Sequence, residues 1–142
     1  MADNQVPAEF LFSLTATTAT GISIPDGPQG SRVVVPVTGG TFEGPRLRGS
    51  VEPSPGGDWI TGRADGSFKL DVRLVLTTDD GVHIVMSYTG VGVRTADGLQ
   101  LRTAPLFEAG DERYAWLNTI QAVGIGTSKS GSVSYQVYAL TV

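Results

Sequence analysis

Two charged side chains in the middle of the chain have the types and the spacing needed for proton-transfer chemistry. Asp71 and Arg73 are two residues apart in an otherwise apolar run, and residues two apart in a strand lie on the same face. A carboxylate in a partly dry site can be tuned for proton transfer. Arginine is a permanent cation whose donors suit a carbonyl or enolate oxygen. Both residues are therefore candidate catalytic groups.

The turns on either side of this run predict its neighbours. Within residues 58–107, three Asp-Gly pairs separate alternating segments, at 65–66, 80–81 and 97–98. Asp-Gly is a strong hairpin signal, because a type I′ turn needs positive φ at both central residues. If each pair is the whole loop, Asp58, Arg73 and Tyr88 form one row across three neighbouring strands. Side chains directly opposite one another can touch, so this row is a candidate site, with Asp71 one pleat away.

The same counting places Arg102 on the face opposite Arg73. Because a bulge would reverse the facing of the residues that follow it, we expect one at 90–92 if the two arginines share a site.

The pattern leaves two interpretations of this face. The reverse face carries Leu70, Val72, Leu74, Leu76, Val85 and Trp59. If the reverse face is the core, the polar row is a solvated network worth under about 1 kcal/mol per pair. If the polar face lines the inside of a barrel, the row lies in a pocket. Four apolar neighbours favour the pocket, namely Ile60, Val75, Ile84 and Met86.

Strand signals that could position these residues run along the whole chain. The 142 residues include 19 glycines but only 17% charged residues, which is typical of an all-β protein with many turns. We expect one domain, residues 1–142, with about eight to ten short antiparallel strands closed as a barrel or stacked as a sandwich. The segment "DERYAWLNTIQAV" is the best helix candidate, although a strand is at least as compatible with its composition. The segment "GIGTSKSG" is interpreted as a hairpin turn.

Composition also excludes several classes of function. The net charge is −4 and no basic stripe occurs, so nucleic-acid binding is not expected. The chain has no cysteine and a single histidine, His83, which argues against a transition-metal site; His83 itself is expected on the surface. No apolar run reaches the length of a membrane span and no secretory signal is recognisable. We expect a cytoplasmic protein that does not bind a membrane.

Five sequence blocks resemble a known family over most of the chain. They are "GGTFEGPRLRGSV", "GGDW", "LDVRLVLTTDDGVHI", "LRTAPLFE" and "YAWLN". In this order and spacing they are similar to the bacterial and fungal family called domain of unknown function 3237, also named uncharacterised protein family 0311. The resemblance implies a compact antiparallel β-barrel of the allene oxide cyclase and dirigent kind. It implies no agreed activity.

The resemblance also gives weight to particular residues. Its blocks contain Asp58, Trp59, Asp71, Arg73, Arg102, Phe107, Glu108, Trp116 and Asn118. A barrel of that kind implies that Asp71 and Arg73 project into the lumen, next to Asp58 and Tyr88. Glu108 is then either a second acid–base group or a charge at the rim. Trp116 and Asn118 share a face if "YAWLN" is a strand.

These observations lead to one functional hypothesis and two alternatives. The hypothesis is an isomerase, cyclase or lyase that needs no cofactor or metal and acts on a small aromatic or enone-type metabolite. Its catalytic residues would be Asp71, Arg73, Tyr88 and Glu108, and its substrate-binding residues Asp58, Arg102, Trp116 and Asn118. The alternatives are a small-molecule carrier or sensor with the same cavity and a structural barrel with a filled interior. A homo-oligomer is expected if the outer face is apolar and exposed.

Overall fold

A computed structural model describes residues 4–141, and their eleven strands form one antiparallel sheet. The strands are β1 (Ala8–Thr18), β2 (Ile22–Gly27), β3 (Gly30–Glu43), β4 (Arg48–Val51), β5 (Gly57–Gly62), β6 (Phe68–Thr78), β7 (His83–Thr95), β8 (Gly98–Thr103), β9 (Leu106–Ala109), β10 (Ala122–Lys129) and β11 (Ser132–Leu140). A 3₁₀ helix, Glu112–Thr119, lies between β9 and β10.

Eight of these strands close into a ring. The order around it is β6, β5, β3, β1, β11, β10, β8 and β7, and β7 pairs with β6 again. Three shorter strands extend the wall: β2 pairs with β3, β4 pairs with β3 and β6, and β9 pairs with β7. The predicted antiparallel barrel is therefore confirmed.

The hydrophobic core lies inside the ring, as strand β6 shows. Its even-numbered residues from Leu70 to Leu76 are buried, whereas Asp71 and Arg73 between them are exposed. One end of the barrel is closed by aromatic side chains, where Phe12 contacts Phe42 and Phe107 at ring-centroid distances of 5.4 and 5.9 Å. The expectation that Asp71 and Arg73 face the lumen is therefore wrong. Enclosing the apolar face of β6 stabilises the fold more than enclosing Asp71 and Arg73 would, so these two side chains point outward.

The loop between β6 and β7 explains why the predicted row of Asp58, Arg73 and Tyr88 does not form. The Thr78 N–H donates to the Val82 carbonyl (2.9 Å) and the Gly81 N–H donates to the Thr78 carbonyl (2.9 Å). Gly81 has φ +89°. The loop therefore has three residues, of the type in which a turn is followed by a left-handed glycine. The assumption of a two-residue Asp-Gly loop is wrong here.

The β5–β6 loop has the same form. The Arg63 N–H donates to the Ser67 carbonyl (2.8 Å), the Gly66 N–H donates to the Arg63 carbonyl (3.0 Å), and Gly66 has φ +86°. A loop longer by one residue moves the register by one, and a shift of one residue sends every side chain to the other face.

In the observed register, the residues of the predicted row lie on two different faces of the sheet. Arg73 pairs with Ser87 and not with Tyr88. Asp58 and Tyr88 do lie in one row, but the residue between them is Val72. Since Val72 is buried, this row is inside the barrel. The register counted from the sequence therefore placed Asp58 and Tyr88 correctly in one row, but it wrongly placed Arg73 between them instead of Val72.

Arg102 also needs a correction. The β7–β8 turn places Thr95 opposite Gly98, and pairing continues without a shift through Gly90, Val91 and Gly92. The bulge expected at 90–92 is therefore absent. Arg102 pairs with Val91 and is exposed, so it lies on the same outer face as Arg73 rather than on the opposite one.

The segment "YAWLN" is helical and not a strand. It lies within the 3₁₀ helix, which begins after Asp111, whose side chain accepts a hydrogen bond from the Arg113 N–H (2.9 Å). Such capping satisfies a backbone donor that has no partner within the helix. Leu117 is fully buried under the barrel end. The segment "GIGTSKSG" forms the end of β10 and its turn into β11, as predicted.

Candidate functional site

A cavity of about 80 Å³ lies inside the barrel on the side away from the 3₁₀ helix. Its lining comes from all eight strands of the ring and is mostly aliphatic. The polar members are Thr18, Asp58, Tyr88, Ser128 and Tyr135. None of its fifteen lining residues is Lys, Arg or His. The lumen therefore offers one carboxyl group and several hydroxyl groups in apolar surroundings.

Asp58 is positioned by an interruption in the β5–β6 pairing. Pairs form at Asp58–Val72 and again at Thr61–Lys69. Between them, the Asp71 N–H donates to the Asp58 carboxylate (3.2 Å). The side chain thereby replaces a strand partner and satisfies a backbone donor that would otherwise lack one.

Burial raises the pKa of Asp58 to about 7, because a charged carboxylate loses hydration in the lumen. The hydrogen bond from the Asp71 N–H lowers this pKa in part, and the negative charge of Asp71 raises it slightly. A carboxyl group with a pKa near neutrality can both donate and accept a proton under ordinary conditions. This is the property that acid–base catalysis requires.

Two tyrosines stand beside Asp58 in the lumen. The rings of Tyr88 and Tyr135 meet edge to face with centroids 5.4 Å apart, and both residues are buried. Burial raises the pKa of Tyr88 well above its usual value, and the hydroxyl of Tyr135 and the charge of Asp58 add to the effect. Burial likewise raises the pKa of Tyr135. Both phenols therefore stay neutral and can donate hydrogen bonds to an oxygen atom of a ligand.

Glycines on the neighbouring strand make room for the Tyr135 ring. A Cβ atom on Gly126 would lie 2.5 Å from Cδ1 and 2.6 Å from Cε1 of Tyr135. These separations are far shorter than a van der Waals contact. The absence of a side chain at residue 126 therefore fixes where the Tyr135 ring can lie.

The cavity continues into a wider vestibule at the open end. This vestibule measures about 580 Å³ and shares Thr18, Val35, Leu99 and Ser128 with the cavity. Cavities that take a whole small ligand measure about 300–1,000 Å³, and a dry cavity of about 150 Å³ takes a benzene molecule. The lumen thus accommodates the end of a molecule, whose remainder would occupy the vestibule.

All four predicted catalytic residues border a second site, an outer groove. Asp71, Arg73, Tyr88 and Glu108 line this groove of about 390 Å³ across β6, β7 and β9, and Tyr88 lines the lumen as well. Leu106 and Val85 form much of its apolar surface. Asp71, Arg73 and Glu108 are all exposed. Sequence reasoning therefore grouped these three residues correctly but placed them on the wrong side of the wall.

The remaining predicted substrate-binding residues are outside the lumen. The amide of Asn118 forms two hydrogen bonds with the backbone of Ala109, accepting from its N–H (2.7 Å) and donating to its carbonyl (2.9 Å). The guanidinium of Arg46 lies 3.5 Å from the centre of the Trp116 ring. Arg102 donates to the carbonyl of Leu101 (2.8 Å) on the outer wall. These three side chains therefore make contacts within the helix region and the outer wall, and none of them reaches the lumen.

Sequence reasoning missed Tyr135. A signal was present, because Val133, Tyr135, Val137 and Ala139 alternate with polar residues in "SVSYQVYAL". Alternation of this kind identifies a half-buried strand. A tyrosine on the apolar face of such a strand needs a partner for its hydroxyl group.

Residues 4–141 contain neither a candidate metal centre nor a membrane-spanning helix. No cluster of three or more His, Cys, Asp or Glu side chains could hold a metal ion. The same residues contain no helix that is both long and apolar enough to cross a membrane. His83 is exposed, as predicted, and its Nδ1 lies 2.9 Å from the Thr77 hydroxyl.

The fold and the lumen define a class of protein: a closed antiparallel β-barrel with a titratable carboxyl group in an apolar cavity. The chain belongs to the family described as protein of unknown function DUF3237, whose model matches residues 7–140. The resemblance read from the five sequence blocks is confirmed.

The chain is similar to several proteins whose function has been described or whose structure has been solved. A protein of Penicillium herquei described as hydroalkoxylation enzyme phnH is 30% identical over 117 residues, which cover 82% of this chain and 71% of the relative. The solved structure of a beta-barrel-like protein from Acinetobacter baumannii matches with a TM-score of 0.89 and 27% identity, over 99% of both chains. The solved structure of an enzyme from Penicillium herquei matches with a TM-score of 0.76 and 25% identity, over 99% of this chain and 100% of the other. An enzyme is thus among the distant relatives of this chain.

Proposed function

We propose that this protein is a cofactor-independent enzyme of the isomerase, cyclase or lyase type that transfers a proton inside the barrel. The observation that carries the proposal is Asp58, a half-buried carboxyl group that lines the lumen, whose pKa is raised to about 7 and which lies beside two neutral phenols. Buried ionisable groups with shifted pKa values cluster at functional sites. The mainly aliphatic lining of the rest of the lumen supports an apolar substrate, for which we propose a small aromatic or enone-type molecule.

The reaction that fits best is the addition of a hydroxyl group across a carbon–carbon double bond of the same molecule. Protonated Asp58 gives its proton to one carbon of the double bond, and the substrate hydroxyl oxygen forms a bond to the other carbon. The hydroxyl proton then returns to the Asp58 carboxylate. One π bond is lost, one C–O bond and one C–H bond form, and one O–H bond breaks. Product and substrate are isomers, so no co-reactant is consumed.

Tyr88 and Tyr135 have a positioning and polarising role in this scheme. Their hydroxyl groups can donate to the attacking oxygen or to a conjugated carbonyl group, and a donor aimed at developing charge in a dry site is effective. Arg73 does not take this role, since it lies on the outer wall. The description of the Penicillium relative supports this type of reaction.

The outer groove is the competing location for the chemistry, because it collects Asp71, Arg73 and Glu108. The two sites can be separated by matched variants. Asp58→Asn and Tyr135→Phe alter the lumen, whereas Arg73→Leu and Glu108→Gln alter the groove. All four substitutions approximately keep side-chain size, so each tests a functional group more than a volume.

The test is cyclisation of a panel of ortho-alkenyl phenols, followed by chromatography and by deuterium incorporation in D₂O. We expect wild type to form cyclic ethers with one deuterium on carbon, Asp58→Asn to lose about 10²–10⁴-fold in rate, and Arg73→Leu to retain the rate. Loss of activity in the groove variants alone would move the active site to the groove. Binding of the phenols without turnover would identify a carrier. No binding and no turnover across the panel would refute this substrate class.

A further inference from the structure

The vestibule carries positive charge that the lumen lacks. Its charged residues are Arg94, Lys129 and Asp97, so cations outnumber anions there, whereas the cavity is lined by no cation and is mostly aliphatic. A molecule with one anionic end is therefore attracted to the vestibule, and its anionic end would lose hydration without compensation in the lumen. This polarity orients it with its neutral end toward Asp58.

Arg94 is placed to receive such an anionic end. It pairs with Leu99, a residue that lines the cavity and the vestibule, and it has the same facing in β7 as Tyr88. Its guanidinium carbon lies 5.4 Å from the centre of the Phe68 ring. Contact with an aromatic face holds the cation in place. Within residues 4–141, Arg94 forms no ion pair with a carboxylate, so its donors are free to bind a ligand.

The register gives the distance between this cation and the reacting groups. Phe68 pairs with Gly92, and Val72 lies between Asp58 and Tyr88 in their row. Four residues of β6 separate Phe68, over which the guanidinium lies, from the row of Asp58 and Tyr88, which at 3.3 Å per residue is about 13 Å; the Arg94 backbone, six residues from Tyr88 in β7, is about 20 Å away. A ligand that spans both must therefore be an elongated molecule with its anionic group far from its reacting end.

We propose that Arg94 binds a carboxylate on the substrate, and that the substrate class is an elongated aryl or alkenyl carboxylic acid whose neutral hydroxyl or alkene end enters the lumen. The identity of the reacting end rests on the proposed function. The anion-binding part rests only on the residues of the vestibule. Arginine suits a carboxylate because its planar fork can form two parallel hydrogen bonds. Arg94 is thus a specificity-determining residue.

The test uses a matched pair of probes, 4-hydroxycinnamate and its methyl ester, measured by isothermal titration at low ionic strength. The two probes share the phenol and the alkene, and only the acid is charged. We expect Arg94→Gln to weaken binding of the acid about three- to tenfold, as for a partly solvated pair, and to leave binding of the ester unchanged. Arg94→Lys should retain part of the affinity for the acid. Added salt should weaken the acid alone, because it screens the charge.

Arg32→Gln is the control variant. Arg32 lies in β3 with the outward facing, paired with Ile24 and Thr61, and its loss removes the same charge without changing the vestibule. We expect it to leave both affinities unchanged. Equal effects of Arg94→Gln and Arg32→Gln on the acid, equal effects of Arg94→Gln on acid and ester, or no binding of the acid to wild type would each overturn the proposal.

The outcomes also separate this proposal from the proposed function. If binding of the acid depends on Arg94 while Asp58→Asn leaves cyclisation intact, the anion site stands and the catalytic assignment fails. If Asp58→Asn abolishes cyclisation while Arg94→Gln leaves binding of the acid unchanged, the catalytic assignment stands and the carboxylate site fails. Thermal unfolding of Arg94→Gln should match wild type, because Arg94 is exposed.

Discussion

Replacing Asp58 with asparagine should make the stability of the protein depend on pH in a different way. Asparagine has nearly the same shape and can still accept the hydrogen bond from the Asp71 N–H through its side-chain oxygen. It cannot ionise. In wild type, the pKa of Asp58 is about 7 in the folded protein and near 3.9 in the unfolded chain. Between these values the folded state binds one proton more than the unfolded state does.

The sign and size of the effect follow from this difference. Where the folded state binds more protons, the free energy of unfolding falls as pH rises. The Asp58 contribution is therefore lost progressively from about pH 4 to pH 7 and is constant above that range. The pKa difference corresponds to about 4 kcal/mol, and because Asp58 is partly exposed to solvent, screening reduces this to about 2–4 kcal/mol. Asp58→Asn should thus equal wild type near pH 4 and be more stable by about 2–4 kcal/mol at pH 8.

Urea unfolding at several values between pH 4 and pH 8 measures this directly. At about 1–3 kcal/mol per molar urea, the midpoint of Asp58→Asn should exceed that of wild type by about 1–2 M at pH 8. Asp97→Asn, in the exposed β7–β8 turn, is the control and should give a profile parallel to wild type. A stability difference between Asp58→Asn and wild type that stays constant from pH 4 to pH 8 would show that Asp58 titrates as an ordinary surface carboxylate, and our account of the lumen would be wrong.

Three further predictions concern the wall of the barrel. Gly126→Ala should lower the free energy of unfolding by about 1–3 kcal/mol, because its Cβ would clash with the Tyr135 ring; circular dichroism in the near ultraviolet should report the displaced ring. Asn118→Ala should cost about 1–3 kcal/mol in urea unfolding, since it leaves both hydrogen-bonding groups of the Ala109 backbone without their partner, and a loss below about 0.5 kcal/mol would contradict this role. Arg73→Leu should change the stability by less than about 0.5 kcal/mol, as is usual for surface substitutions, and a loss of several kcal/mol would indicate a buried ion pair.

The sequence by itself determined the kind of fold. Alternating apolar residues, many glycines and few charges require an all-β chain, and the five sequence blocks identified the family. Residues 70–76 already contained the correct division into a buried and an exposed face. The choice between them was open, because alternation shows that two faces differ but not which one is enclosed.

The register of the strands could not be predicted from the sequence. Asp-Gly occurs both as a two-residue loop and as the last part of a three-residue loop with a left-handed glycine, and the two differ by one residue. That single residue decides whether Arg73 or Val72 stands between Asp58 and Tyr88. In the closed barrel the aliphatic residues of β6 can be buried only if Arg73 points outward, so packing of the whole ring selects the longer loop.

Tertiary structure alone also decided the chemistry of Asp58. Nothing in "GGDW" distinguishes a surface aspartate from a buried one, since the pKa of a carboxyl group depends on what surrounds it. Closure of eight strands places Tyr88 from β7 and Tyr135 from β11 beside it. These residues are distant in the chain, and only the curvature of the closed sheet brings them together. The sequence supplied the reactive groups, and the enclosure of the lumen gave one of them a pKa near neutrality.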